Sequence, residues 1–153
     1  MNIEAIAEST ATSMNEEQLG DLLKSEGVGV LALPDADLPY VIPVSFGYDG
    51  DRTLYFVFLL FGAESRKEVL AKRADRARFL VYRADSMSDW RSVLLTGRID
   101  PVAEAEWSTL RSAMENAWHP NVFSSAHPMR GVEGYRFEVD SWTGIQQRSS
   151  ADG

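Results

Sequence analysis

The chain has 153 residues, 44% of them apolar, and contains no cysteine. This length suits one globular domain, and the lack of thiols excludes a disulfide framework, a thiolate metal site and a cysteine nucleophile. Because the formal net charge is -8, a nucleic-acid partner would meet repulsion rather than attraction. We therefore expect a single domain over 1–153, with disordered ends at about 1–12 and 149–153 and no nucleic-acid partner.

The N-terminal segment MNIEAIAEST has neither the basic region nor the apolar run of a signal peptide. No stretch of the chain reaches the roughly 18 apolar residues of a membrane span. These features predict a cytoplasmic protein with no membrane partner. The acidic composition, in which arginine greatly outnumbers lysine, fits either a salt-adapted cytoplasm or a GC-rich genome.

The first predicted element is a helix over about 14 to 26. Ser13 and Glu16 have the spacing of a capping box, and Gly27 supplies a stop signal. The residues expected on the buried helical face are Leu19, Leu22 and Leu23.

Three strands in a meander follow the first helix. The runs VGVLAL, YVIPVSFGY and TLYFVFLL are rich in β-branched and aromatic residues, and turn signals separate them. Pro43 lies inside the second run and cannot donate a ladder hydrogen bond, so we expect a strand edge or a bulge there. Backbone groups near Pro43 would then remain free to pair with something else.

The second half of the chain continues the pattern. SRKEVLAKR predicts a short helix with Ser65 as its N-cap and with Val69 and Leu70 turned inward. Strands are predicted over 76–83 and 90–102, separated by a polar linker, with a bulge at Gly97.

A second amphipathic helix and a last strand complete the predicted elements. The segment 103–118 has helical composition and places Trp107, Leu110 and Met114 on one face. The segment 119–134 reads as a long loop, and GYRFEVDSW (134–142) predicts the sixth strand.

Six strands at hairpin spacing, without regular βαβ alternation, predict a mainly β protein: a six-stranded antiparallel barrel of the Greek-key type, with helices plugging its ends. A doubly wound fold is disfavoured because no G-x-G-x-x-G follows the first strand.

Side-chain acid, base and metal chemistry have little support in the sequence. The G-x-S-x-G nucleophile elbow is missing. His119 and His127 each precede a proline, lack a helical i, i+4 spacing and have no obvious carboxylate beside them, so a loop role is favoured over a metal site. We assign no catalytic residue and no metal.

The stretch FGAESRKEVL predicts an anion site. A turn that enters a helix leaves unpaired backbone N–H groups at the positive end of the helix dipole, which suits a phosphate. Ser65 offers a hydroxyl, Arg66 a planar fork and Lys67 a point charge. The alternative is a plain helix cap at Ser65, with both cations in water.

Three other stretches would have to converge on the same ligand. WRSV places Arg91 and Ser92 at the start of a strand, and IPVSF offers an irregular strand edge. Trp142 lies in DSWTG at the end of the last strand, where so large a side chain is rarely fully buried. Packing over a barrel end explains Trp142 as well as ligand stacking does.

The order of these motifs resembles the pyridoxamine 5'-phosphate oxidase-like flavin-binding split barrels. The likeness extends over about residues 14–148 and rests on the PVSF edge, the YF-containing strand, the SRK turn, the W-R-S-V-x-x-x-G strand and the late W-x-G. It implies a split β-barrel that binds FMN, and a homodimer with the cofactor at the subunit interface.

The resemblance also implies which residues contact FMN. The phosphate falls to the turn formed by Ser65, Arg66 and Lys67. Arg91, Ser92 and Val93 correspond to the family's R-Q-V strand start, with serine in place of glutamine. The strand whose backbone lines the isoalloxazine corresponds to Ile42, Pro43, Val44 and Ser45. The late W-x-G with a following arginine corresponds to Trp142, Gly144 and Arg148.

The sequence departs from the family's better-known members. The vitamer-binding C-terminal residues of the oxidase proper are missing, and Val57 and Phe58 stand where the nitroimidazole-reductase-like branch has a histidine. We therefore expect a flavin-dependent oxidoreductase with an unassigned small-molecule substrate. The alternatives are a non-catalytic sensor or carrier of flavin, deazaflavin or haem, and a purely structural dimer.

Overall fold

The computed structural model describes residues 11–60, 65–116 and 131–148. Within them lie seven strands: β1 (Thr12–Ser13), β2 (Val28–Leu33), β3 (Tyr40–Tyr48), β4 (Thr53–Leu60), β5 (Arg76–Ser86), β6 (Asp89–Pro101) and β7 (Gly131–Gln147). The helices are α1 (Glu16–Ser25), α2 (Arg66–Arg73) and α3 (Trp107–Ala113), and short 3-10 turns at Glu104–Glu106 and Met114–Asn116 flank α3. None of these helices is long and apolar enough to cross a membrane.

The strands form one antiparallel sheet in the order β1-β7-β4-β3-β2-β5-β6, and pairing between β6 and β7 joins its ends. Six strands therefore close a barrel, and the short strand β1 pairs with the end of β7, at Ile145 and Gln146. β7 makes the closure because its first half pairs with β4, while Tyr135–Gln147 pairs with β6. The predicted six-stranded antiparallel barrel is confirmed.

The barrel wall is open between β3 and β4 at one end. The β3–β4 ladder consists of Phe46–Tyr48 opposite Leu54–Phe56. Beyond it, Tyr40–Ser45 pairs with β2 and Val57–Leu60 pairs with β7. We call this opening the β3–β4 split. Pro43 lies on its free edge, as the sequence predicted.

Aromatic rings fill the barrel. Phe79 contacts three other phenylalanines, with ring centroids 4.7 Å from Phe56, 5.2 Å from Phe46 and 6.4 Å from Phe137. All four side chains are at most 1% exposed, and burying each stabilises the fold by about 1.5–3 kcal/mol. The two ends are covered by helices, with Leu19, Leu22 and Leu23 of α1 and with Leu70 and Ala71 of α2 joining the same core.

Helix α3 packs on the outside of the barrel, where Leu110 and Met114 join Tyr55 and Val57 of β4 in a second cluster. Trp107 packs against that cluster, so the predicted apolar face of this helix is confirmed. The close approach of α3 to β3 requires a glycine at position 47, because a Cβ there would overlap the backbone carbonyl of Ala113.

The start of α1 differs from the prediction. The capping box is formed by Asn15 and Gln18, whose side chains each accept from the other residue's backbone N–H. Ser13 is not a cap because it pairs with Ile145 in β1, which holds its backbone extended. Thr12, which was expected to belong to the disordered N-terminal end, pairs with Gln146 in the same strand. Most of the two ends expected to be disordered, 1–10 and 149–153, lies outside the described residues.

Three strand and helix boundaries also differ. The polar linker predicted after residue 83 belongs to the β5–β6 hairpin, whose ladder continues to Ser86 and Asp89. The described part of the helix predicted over 103–118, which ends at residue 116, is divided into two 3-10 turns and α3. β7 is longer than predicted because β4 and β6 supply hydrogen-bond partners along its whole length. The bulge predicted at Gly97 lies in the partner strand: Thr96 faces Ser141 and Gly97 faces Val139, so the extra residue is Asp140 of β7. His119 and His127 lie outside the described residues.

Candidate functional site

Helix α2 is preceded by a serine whose hydroxyl has no partner among the residues that the structure describes. Ser65 occupies the N-cap position, as predicted, but its side chain makes no capping hydrogen bond. Its Oγ is buried and finds no hydrogen-bond partner among the described residues. A buried hydroxyl without a partner is costly, so this atom is suited to a ligand that accepts or donates a hydrogen bond.

The two cations after Ser65 are in different situations. The guanidinium of Arg66 pairs with Asp35 in the β2–β3 turn, with Nε 3.2 Å from Oδ2 and a second contact from Nη2 to Oδ1. Lys67 lies with Nζ 5.5 Å from the centroid of the Phe58 ring, and within the described ranges it makes no ion pair. Lys67 therefore offers a free positive charge, whereas the charge of Arg66 is shared.

The predicted strand edge lies at the same end of the barrel as this turn. Continuing the β3–β4 register past Phe46 and Phe56 places Val44 level with Phe58 across the β3–β4 split. Val44 is buried, while Pro43 and Ser45 are on the outward-facing side of the strand. Ile42–Ser45 and the turn at Ser65 thus flank one opening.

Arg91 and Ser92 lie at the other end of the barrel. In the ladder with β7 they face Gln146 and Ile145, near the end of that strand. The turn at Ser65 follows β4, whose Leu60 faces Gly131 at the beginning of β7. Arg91 and Ser92 therefore do not meet the turn at Ser65 within one chain, because β7 separates them by nearly its whole length.

Trp142 shares the end of the barrel with Arg91. It is half-buried against the core, as expected for so large a side chain. The guanidinium of Arg52 lies 4.4 Å from the centroid of its ring and also pairs with Glu16 of α1. The ring of Trp142, a candidate for ligand stacking, therefore has the guanidinium of Arg52 stacked on it. The contacts that the structure shows for Trp142 are those of the alternative, in which it packs over the end of the barrel.

Two features of the site were not foreseen from the sequence. Gln146 is 6% exposed, faces Arg91 across the ladder, and its Oε1 has no partner within the described part of the chain. The second feature is a polar group beside the turn, containing Glu68, Lys72, Glu133 and Tyr135. Only the i, i+4 spacing of Glu68 and Lys72 in α2 gave a sequence signal for it.

The electrostatics of this polar group are set by burial and hydrogen bonds. Tyr135 donates a 2.6 Å hydrogen bond to Glu133 Oε2, and burial first, then this bond, raises the pKa of the tyrosine. The hydrogen bond with Glu133, followed by that with Glu68, raises the pKa of Lys72. The lysine therefore stays charged and the tyrosine stays neutral at ordinary pH.

The outward side of the barrel carries exposed apolar residues on five neighbouring strands. We call this set the outer apolar face: Val28, Val41, Tyr82, Leu94 and Ile145. Two residues of the predicted site belong to the same surface, since Ser45 pairs with Val28, and Ser92 lies between Tyr82 and Ile145. No group of three or more potential metal ligands is found in the described part.

Comparison with known proteins identifies a family for this chain. The family model described as pyridoxamine 5'-phosphate oxidase matches residues 15–146. A search among curated proteins found no significant match.

Solved structures share the fold at low sequence identity. An FAD-binding protein from Mesorhizobium loti is 17% identical with a TM-score of 0.67, and the alignment covers 91% of this chain and 98% of that one. The FAD binding protein from Mycobacterium smegmatis is 22% identical with a TM-score of 0.66, covering 91% and 100%. The FAD and heme binding protein from the same organism is 17% identical with a TM-score of 0.65, covering 94% and 77%. The split barrel and the family match over most of the chain agree: the chain belongs to the pyridoxamine 5'-phosphate oxidase family.

Proposed function

We propose that this chain binds FMN through its phosphate at the start of α2 and acts as a flavin-dependent oxidoreductase. The observation that supports this most is the buried Ser65 Oγ, which has no hydrogen-bond partner in the described part of the chain, next to Lys67, which makes no ion pair there. Both stand at the N-terminus of α2, where backbone N–H groups and the helix dipole favour an anion. The family match and the flavin-binding neighbours support the same ligand class.

The residues of the turn have separate tasks in this proposal. Ser65 would donate a hydroxyl hydrogen bond to a phosphate oxygen, and Lys67 would supply the main positive charge. Arg66 would contribute less, because Asp35 already neutralises its guanidinium. The free edge at Ile42–Ser45 would present backbone groups to the ring system. The bound flavin supplies the electron and hydride chemistry, so the protein needs no acid–base pair of its own.

We further propose that the protein is a homodimer built on the outer apolar face. Tyr82 is 55% exposed and Val41 58% exposed, and apolar patches of this kind mark interaction surfaces. A symmetric contact over this face would let β6 of one copy approach the β3–β4 split of the other. Arg91, Ser92 and Trp142 could then belong to a flavin site that two chains complete. Sedimentation analysis tests this proposal. We expect the Tyr82→Lys variant to be a monomer and to bind FMN more weakly.

The direct test of ligand and activity is a titration of purified protein with FMN, FAD and riboflavin, followed by flavin fluorescence. We expect saturable quenching by the protein, tightest with FMN because its terminal phosphate carries more charge than a bridged one. Equal affinity for riboflavin would contradict the phosphate site.

A non-catalytic flavin carrier or sensor is the second candidate, favoured by the shared fold with the FAD and heme binding protein of Mycobacterium smegmatis. Oxidation of NADH or NADPH by the FMN-loaded protein separates the two functions. A carrier would bind FMN without turnover.

A further inference from the structure

Helix α2 is joined to β7 by a group of polar side chains beyond the proposed phosphate turn. Lys72 Nζ lies 3.0 Å from Glu133 Oε1 and 3.3 Å from Glu68 Oε2. On the other side of Glu133, the hydroxyl of Tyr135 donates to Oε2 at 2.6 Å. One carboxylate on β7 therefore holds both a lysine of the helix and a tyrosine of the barrel.

These contacts reach from the surface into the core, since the side chains of Lys72 and Glu133 are 46% and 23% exposed. Glu68 and Tyr135 are 0% and 1% exposed, and Glu68 directly follows Lys67. A buried carboxylate is strongly unfavourable unless hydrogen bonds and an opposite charge compensate it. Lys72 contacts both Glu68 of its own helix and Glu133 of β7, and the second contact ties the second turn of α2 to β7.

A second path leads from the same tyrosine back to the turn. The rings of Tyr135 and Phe58 are tilted against each other with centroids 4.9 Å apart. Lys67 Nζ lies over that same Phe58 ring. The contacts thus run from α2 through Lys72, Glu133, Tyr135 and Phe58, and return to α2 at Lys67.

The orientation of α2 depends on such contacts because the helix is short. It has 8 residues, and isolated helices of this length are unstable in water. Its direction, and with it the aim of the backbone N–H groups at its first turn, is therefore set by packing and by its polar anchors.

We propose that Tyr135 and Glu133 are positioning residues for the phosphate-binding turn, acting through Lys72 and through the Phe58 ring. This inference rests on the proposed function of the same turn. It identifies two β7 residues that do not touch the ligand but decide how well its phosphate is held. The flavin ring would lie on the β3–β4 split, beside Phe58. Because Tyr135→Phe and Glu133→Gln both keep the two rings at Tyr135 and Phe58, we expect these variants to affect the phosphate turn and not the flavin ring.

The test compares FMN with riboflavin, which has the same ring but no phosphate. In Tyr135→Phe and Glu133→Gln we expect the dissociation constant of FMN to rise about tenfold, as for the loss of one hydrogen bond to a charged group, with that of riboflavin unchanged. The matched control is Tyr48→Phe, which removes a tyrosine hydroxyl bonded to the Asp51 carbonyl at the other end of the barrel. We expect the control to leave both affinities unchanged.

Variants at Lys72 keep the test independent of the buried tyrosine. Lys72 is 46% exposed, so Lys72→Met and Lys72→Arg should both fold. We expect Lys72→Met to reproduce the selective loss of FMN affinity, and Lys72→Arg, which keeps the charge, to restore most of it. An equal loss for FMN and riboflavin, or no loss in any variant, would overturn the positioning role. Wild-type protein that does not prefer FMN to riboflavin would instead overturn the proposed phosphate site itself.

Discussion

The guanidinium of Arg66 is paired with the carboxylate of Asp35, which ties the first residue of α2 to the β2–β3 turn. Because Asp35 contacts the guanidinium of Arg66 directly, this acid lies close to the proposed phosphate position and would compete with a phosphate for the same cation.

Replacing Asp35 by asparagine should therefore strengthen FMN binding. The substitution removes a negative charge near the phosphate and releases Arg66, and partly exposed pairs of this kind correspond to about two- to fivefold in affinity. Fluorescence titration measures the change. Asp37→Asn, an exposed acid in the same turn, is the control and should have a smaller effect. Weaker FMN binding by Asp35→Asn would mean that the acid orients Arg66 instead of competing for it.

Replacing Lys67 should weaken FMN binding more than replacing Lys24 or Lys72. Because its charge has no acidic partner in the described residues, Lys67→Ala should raise the dissociation constant of FMN about 10- to 100-fold. Arg66→Ala should cost less, and the double variant about 3 kcal/mol or more of binding free energy. Lys24→Ala, in the exposed last turn of α1, is the matched control. Unchanged affinity in Lys67→Ala would place the phosphate elsewhere.

The stability of the protein should fall at high pH in a way that depends on Tyr135. Burial and the hydrogen bond to Glu133 raise the pKa of Tyr135 above its ordinary value of 10.0, and burial also raises the pKa of Tyr48 and Tyr55. Above pH 10 the unfolded chain loses these protons while the folded chain keeps them. The free energy of unfolding should then decrease by up to about 1.4 kcal/mol per pH unit for each tyrosine.

Urea denaturation at a series of pH values from about 8 to about 11 checks this expectation, because it spans the tyrosine range. The Tyr135→Phe variant should show a shallower decrease than the wild type, since one of the three groups is gone. Parallel curves for the two proteins would show that Tyr135 does not hold its proton in the folded state.

Gly97 should not tolerate a methyl group. A Cβ at this position would overlap the carbonyl oxygen of Glu138, at the bulge where β6 and β7 shift register. We expect Gly97→Ala to lower the free energy of unfolding by about 1–3 kcal/mol, as overpacking of a fixed backbone does. Gly20→Ala in α1 is the control: its Cβ would meet Tyr48 at an ordinary 3.7 Å, and helix propensity predicts a gain of up to about 1 kcal/mol. Equal stability of the two variants would contradict the close approach of β6 and β7.

Local patterns predicted most of the barrel because its strands have clear compositions and turn signals. The same patterns misplaced the cap of α1, since Ser13 with Glu16 and Asn15 with Gln18 both have capping spacing. The choice between them is made by the pairing of Ser13 with Ile145, more than a hundred residues away in the sequence. The length of β7 likewise depends on partners that no local pattern reveals.

The sequence predicted only part of the candidate site, because the rest also depends on pairing between strands that are distant in the sequence. The start of α2 and the free edge at Pro43 follow from short motifs, and the structure places both at one opening. The separation of Arg91 from that opening depends on the register of β7 with its two neighbours. The contact of Lys72 with Glu133 depends on that register as well, so it could not be foreseen from helix periodicity alone.

The role that we propose for the start of α2 is to hold the phosphate of a flavin. The most direct measurement is the visible absorbance and FMN fluorescence of purified protein, titrated with FMN and, in parallel, with riboflavin. We predict flavin absorbance on the protein and saturable quenching of FMN at a stoichiometry of one per chain, with clearly weaker binding of riboflavin. A colourless protein that leaves FMN fluorescence unquenched would contradict a flavin site in this chain.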